Sequence, residues 1–370
     1  MADTALKTRL SKQEEWSYIS SNDPATMQQQ STEHILKMSL SSKRVSRFQL
    51  GETAKAWIAL IPALIFLILF MIYPIINTFI ISFIENFRFM KGSGGSFALT
   101  NFFSALNNAR LPAAQKPFFS FGNYVRVLQD VEFRDSFVNT ILIVLVTVPL
   151  TIVVALLIAV ALNSIKKLQG FFQTVFFLPY VTNALALGMV FKTIFTDGDA
   201  GLFNAFLKLF GIPAQFWLSA YADKWHMFVV ITIYAIWNGI AFKILVFMSG
   251  LASIDKQYYD AAKIDGASRA TILGRVTVPL LSPQILYITI TSFIGAFKSY
   301  TQIISLFGNG AYDFGGADAK QWETVVGYIY KVMQDDTKIG RAGAASFILL
   351  IVILLITLVQ TIISKKRVHY

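Results

Sequence analysis

The stretch Asp260-Ala261-Ala262-Lys263-Ile264-Asp265-Gly266 is followed ten residues on by Val276-Thr277-Val278-Pro279. It is a polar island between two apolar runs, Met227 to Leu251 and Leu280 to Leu306, each long enough to cross a bilayer. Asp255 is placed to cap a helix through Tyr258, Tyr259, Ala261, Ala262 and Ile264, and Asp265-Gly266 supplies its stop. Ser268 starts a second short helix through Thr271, Ile272 and Leu273, expected to end near Pro279 because proline lacks the amide donor. Small Ala261 and Ala262 admit close approach by another surface, and Asp260, Arg269 and Arg275 offer it charged anchors. A plain connector needs neither this length nor this mixture of apolar and small residues.

Outward from the island, the chain of 370 residues is 55% apolar with a mean hydropathy of +0.57, a composition that suits a bilayer and argues against a soluble enzyme. A hydrocarbon core of about 30 Å needs roughly 20 helical residues. Six segments meet that length: Trp57 to Phe83, Phe137 to Leu162, Phe171 to Phe195, Met227 to Leu251, Leu280 to Leu306 and Ala342 to Ile363. They are apolar all round, as expected where lipid replaces water. The expected fold is an all-α polytopic membrane protein of six transmembrane helices, with a polar tail at 1–55 and a membrane domain at 56–370.

Lysine and arginine flanking the spans set the orientation. Lys43, Arg44, Arg47 and Lys55 precede the first span, Lys166 and Lys167 link the second to the third, and Lys365, Lys366 and Arg367 follow the last. Placing all three on the cytoplasmic side makes both termini cytoplasmic and puts the loop 252–279 there too. The long external loop from Ile84 to Ser136 carries scattered basic residues and is weak topological evidence.

The net charge of +11 sits in short runs beside the spans rather than on one face, so nucleic acid is not expected as a partner; membrane lipid is. There is no cysteine, and His34, His226 and His369 lie far apart, so neither a thiolate site nor a metal site is expected. The first 50 residues have no secretory signal pattern and should stay inside as a largely flexible tail. Ile35 to Leu40 and Val45 to Leu50 are long enough for short interfacial helices.

The order acid-Ala-Ala, three residues, Gly, nine residues, aliphatic-x-aliphatic-Pro resembles the cytoplasmic signature of permease subunits of bacterial ATP-binding-cassette importers. Here it falls on Asp260, Ala261, Ala262, Gly266, Val276, Val278 and Pro279, with Asp in place of the usual Glu and Val in place of Ile and Leu. The likeness runs from about Trp57 to the C-terminus and narrows to the carbohydrate-uptake branch, the maltose-type and glycerol-phosphate-type permeases. Ile61-Pro62-Ala63, Tyr73-Pro74, Gly122-Asn123-Tyr124, Asn139-Thr140, the run Phe172 to Pro179, Ile264 to Ser268 and Gly340 to Ser346 carry it. Gly308-Asn309-Gly310 departs from the usual Gly-Gly-Pro and precedes an insertion-like 311–320.

The resemblance implies a bacterial plasma-membrane importer in which this chain pairs with a second, homologous permease. Two ATPase subunits dock on the 252–279 loop, chiefly at Asp260, Ala261, Ala262, Asp265, Gly266, Val276, Val278 and Pro279. A solute-binding protein delivers the solute from outside. With no Gly-x-x-x-x-Gly-Lys-Ser/Thr loop, ATP and Mg are expected on the partner ATPases and this chain is expected to be non-catalytic. Movement of the loop would drive alternating access.

For the solute path, Ser292, Gly295, Ala296 and Ser299 recur at helical spacing on one small, partly polar face, which suits a cavity wall and close helix packing equally well. Asn183 and the pair Asn238-Gly239 add amides at membrane depth, and similar positions line the path in maltose-type relatives. Tyr180, Trp237 and Tyr300 supply rings for stacking or for interface anchoring. Lys243 is expected to snorkel from near the cytoplasmic end of its span. Lys298 lies deeper; it either snorkels or meets an acid, including an anionic solute. Segments Phe87 to Asp135 and Asn309 to Arg341 are natural landing areas for a binding protein. A sugar or oligosaccharide is the expected cargo, with glycerol phosphate, a uronic-acid saccharide or an amino acid as alternatives. An intramembrane enzyme would need a catalytic set at membrane depth, and an exporter or channel subunit is disfavoured because a channel needs no ATPase handle.

Overall fold

The computed structural model describes residues 51–88, 98–108, 112, 115–165, 169–219, 221–308 and 321–365; the tail helices expected at 35–50 and the basic runs at 43–47, 166–167 and 366–367 lie outside them. The chain divides into two units at Tyr73/Pro74. The first unit contributes α1 (Glu52–Leu67), which runs on through a π turn at Ile68–Ile72.

In the second unit α2 (Tyr73–Ser82) leads into β1 (Ile84–Glu85), then α3 (Ala98–Leu106), β2 (Phe118–Phe119), α4 (Gly122–Gln129) and α5 (Val131–Ser164). Next come α6 (Gln169–Val181), α7 (Ala184–Ile194), α8 (Leu202–Lys208) and α9 (Lys224–Ser253). The handle holds α10 (Lys256–Ile264), α11 (Arg269–Ile272) and α12 (Val278–Leu280). Beyond it lie α13 (Ser282–Phe297), α14 (Thr301–Phe307), α15 (Val325–Met333) and α16 (Ile339–Lys365). The small exception to an all-helical chain is the antiparallel pair β1–β2, with Ile84 opposite Phe119 and Glu85 opposite Phe118.

Among the described residues, four helical stretches are long and apolar enough to cross a membrane: Thr53–Ser82, Val131–Ser164, Lys224–Ser253 and Ile339–Ser364. A fifth counts if Arg269–Leu280 and Ser282–Phe297, bent by 71°, form one span. The expected third span is broken. Asn183 is extended (φ −60°, ψ 124°) and its Oδ1 accepts from Leu185 N at 2.8 Å, so it caps α7 instead of continuing α6. The expected fifth span is also interrupted, since α13 ends at Phe297 and α14 begins at Thr301.

The second handle helix ends near Pro279 as expected, at Leu280, but the missing amide is not what stops it. Helical backbone runs through Pro279 by way of a π turn at Leu273–Thr277, and Leu281 N still donates to Thr277 O at 2.9 Å. Pro279 follows that π turn, and the chain bends at Leu281 (φ −85°, ψ 3°).

Lipid tails are as apolar as leucine, so helices in a bilayer associate by close packing rather than by escape from water. The packing follows that rule: α9 lies along α5, α13 packs on α5, and α14 packs on α7. Ala155 and Ala159 of α5, one turn apart and fully buried, meet the Ile240, Ile244 and Phe247 side of α9. Gly188 of α7 faces Ser305 of α14 so closely that any side chain at 188 would collide with it.

Candidate functional site

The handle is built by local capping. Asp255 Oδ1 accepts from Gln257 N at 3.0 Å and starts α10. At its end Gly266 adopts φ +72°, Ala267 N bonds Ala262 O at 2.9 Å, and Gly266 N bonds Lys263 O at 3.0 Å. That crossed pair of bonds needs a left-handed residue, which is why a glycine stands at 266. Ser268 Oγ then accepts from Thr271 N at 3.2 Å and starts α11. Asp255 and Ser268 thus cap the two helices, with Asp265-Gly266 as the elbow between them.

No residue of α10 or α11 is buried; Ile264 is 86% exposed and Tyr258 56%. Asp260, Ala261, Asp265 and Pro279 are exposed, while Ala262, Val276 and Val278 are half-buried. Asp260 pairs with Lys263 at 3.0 Å on the open surface, a weak interaction that either residue can exchange for another partner.

The handle joins two helices that face one cavity. A space of about 370 Å³ is lined from α9 by Asn238, Gly239, Phe242 and Lys243, and from α13 by Thr291, Ser292, Gly295 and Ala296. Thr147 and Thr151 of α5, Tyr180 of α6, and Ser299 and Gln302 beyond the end of α13 complete the wall. Five of the six residues singled out for a solute path, Asn238, Gly239, Ser292, Ala296 and Ser299, are therefore brought together. Asn183 is not: it is exposed and engaged in its cap.

Of the two lysines, Lys298 fits the snorkelling alternative and Lys243 departs from expectation. Lys298 caps the end of α13 and is exposed, whereas Lys243 lines the cavity, with its Nζ donating to Gly239 O at 2.9 Å. Thr147 and Thr151 were also missed. Their spacing of one turn in an otherwise apolar helix is the signal that finds them, since both fall on one face. Tyr180 and Phe242 stack with centroids 6.1 Å apart at the cavity wall.

At the opposite end of α5 and α9 lies a buried polar cluster. Asn139 Nδ2 donates to Gln321 O at 3.0 Å and to Glu323 O at 3.2 Å, and Lys224 Nζ reaches Asn139 Oδ1 at 3.0 Å. Trp322, fully buried, stacks on Phe228 and donates from Nε1 to Lys224 O at 2.9 Å. Lys331 bridges Glu132 at 2.9 Å and Glu323 at 3.1 Å. Burial pushes the Glu323 carboxyl above the usual glutamate range, only partly offset by Lys331. Tyr328 donates to Asp130 Oδ2 at 2.7 Å; burial, with that carboxylate beside it, raises its phenol well above the usual value.

The model of the binding-protein-dependent transport system inner membrane component family matches residues 121–369, which include the handle and every residue lining the cavity. The chain belongs to this family. It is an inner-membrane permease of a binding-protein-dependent ATP-binding-cassette importer, a transport component rather than an enzyme. It is 30% identical over 315 residues to the arabinooligosaccharide transport permease AraP of Bacillus subtilis, covering 85% of this chain and 90% of that one. It is 27% identical to the lactose transport permease LacF of Rhizobium radiobacter (84% and 94% covered) and 29% identical to the sn-glycerol-3-phosphate permease UgpA of Agrobacterium fabrum (68% and 83%). Among solved structures, a chain of a bacterial transporter that imports the acidic polysaccharide alginate matches with a TM-score of 0.65 at 19% identity, covering 84% of this permease and 95% of that chain. The fold is thus the importer permease fold.

Proposed function

We propose that this permease carries a sugar or oligosaccharide across the plasma membrane by alternating access, driven by two ATPase subunits docked on the 252–279 loop and paired with a second, homologous permease. ATP and Mg sit on the ATPases, and an external binding protein delivers the solute near the 87–135 and 309–341 segments. The chain crosses six times with both termini cytoplasmic: α6 and α7 together exceed the roughly 20 residues of one crossing and make the third, broken at Asn183.

The observation that carries this is the connection of the handle. α9 enters it and α13 leaves it through the 71° bend, and both helices supply walls of the same cavity. A pull on Asp260, Ala261, Ala262 and the elbow at Gly266 therefore moves Asn238 and Gly239 on one side and Ser292, Ala296 and Ser299 on the other. The hydroxyl, amide and aromatic lining suits a polyhydroxylated solute, and the names of AraP and LacF agree with that class. Lys243 keeps the second reading, an anionic solute, open.

The test is ATP-driven uptake by the reconstituted importer. Gly266→Pro cannot adopt φ +72° and should abolish uptake while leaving membrane insertion intact. Uptake that survives this substitution would contradict the handle's role.

A further inference from the structure

A half-buried lysine within a membrane-length helix needs a reason. Lys243 is the one charged side chain among the cavity-lining residues, its Nζ is bonded to the Gly239 carbonyl of its own helix, and among the described residues it makes no ion pair. Charged groups inside a membrane are costly and are retained where they meet a counter-charge or a substrate. A carbonyl oxygen satisfies one of the three ammonium donors and leaves the charge itself uncompensated among the described residues.

The rest of the wall is neutral: Thr147, Thr151, Asn238, Ser292 and Gln302 give hydroxyls and amides suited to a polyol, and none of them carries charge to balance the lysine. The volume, about 370 Å³, lies within the ~300–1,000 Å³ range of small-molecule sites. A neutral sugar would be served by the hydroxyls and amides alone and would leave the ammonium charge unmatched. We infer that the solute bears a carboxylate or phosphate and that Lys243 is the group that recognises it, the neutral side chains taking its hydroxyls. This rests on the importer function proposed above and narrows its cargo to acidic saccharides or phosphorylated polyols.

The experiment uses the full importer in proteoliposomes with its binding protein and three probes: a galacturonic acid trimer, sn-glycerol 3-phosphate and neutral arabinotriose. ATP-driven uptake of at least one acidic probe is expected, with arabinotriose at least about tenfold slower. That is the scale of one hydrogen bond to a charged group. Lys243→Gln should lower acidic uptake about tenfold or more, and Lys243→Arg should restore most of it. A lysine that only shapes the wall would not show that rescue by charge.

Uptake of arabinotriose in preference to both acids, or acidic uptake unchanged in Lys243→Gln, overturns the inference and leaves the importer reading standing. So does failure of Lys243→Arg to transport the acidic probe, which covers the case in which the Gln variant does not assemble. An assembled complex that hydrolyses ATP but moves none of the probes also counts against the anionic assignment. A complex with no ATP-dependent transport of any solute its binding protein binds contradicts the importer reading itself.

Discussion

The two ends of α9 are built in opposite ways. At its start, Lys224 enters a closed polar cluster in which Trp322 is fully buried, Thr324 and Asn139 are 1–2% exposed, and most polar groups find partners within the chain. At its end, α10 and α11 hold no fully buried residue and are shaped by caps and an elbow. The contrast teaches where each end finds its stability. The cluster at the Lys224 end is closed within the chain, while the handle is a preformed shape with an open face, as suits a surface that a partner grips and releases.

The largest expected effect falls on the closed end. Trp322→Ala removes a buried indole and should cost about 3–5 kcal/mol, seen as a lower thermal denaturation midpoint of the detergent-purified complex. A comparably large loss from Tyr258→Ala in the handle would erase the contrast.

A smaller effect concerns pH. Glu323 has its pKa raised by burial, so the folded state holds the proton more tightly than the unfolded chain does. Its contribution to stability is full below the ordinary glutamate value and is lost as pH rises through the raised one. Glu323→Gln should flatten that fall in a denaturation series. Lys331, lowered by burial but raised on balance by Glu132 and Glu323, acts with the same sign in a more alkaline window, losing its contribution as pH rises through its raised pKa. A pH dependence unchanged by Glu323→Gln would show that the carboxyl is not the titrating group.

The smallest effect on stability is expected for Asp260→Asn. Its pair with Lys263 is exposed on both sides and screened, so the denaturation midpoint should not move, whereas solute-stimulated ATP hydrolysis should fall. A shift in the midpoint with normal ATPase coupling would reverse the roles given to the two regions.

What was legible in the sequence was what short-range chemistry decides. Asp255, Ser268 and Gly266 announce the handle because a cap or a left-handed turn acts on its own few residues. The stop near Pro279 is legible, but the π turn before it and the 71° bend at Leu281 are not, because both depend on how α12 meets α13. Asn183 looked like an amide at membrane depth because capping and cavity lining use the same side chain. The sequence lets Lys243 snorkel, and its place in the cavity wall depends on how α5, α9 and α13 pack. The polar cluster around Lys224 is hidden in the sequence for the same reason, since Glu323 and Ser136 are 187 residues apart in the chain.

The central claim is that the open face of α10 is gripped by an ATPase. Because the chain has no cysteine, Ala261→Cys places a single thiol on that exposed face, and cross-linking it in membranes containing the whole importer tests the claim most directly. The expected product joins this permease to an ATPase subunit. A thiol that links only to the external binding protein, or to no protein at all, would contradict the docking of the motor on this handle.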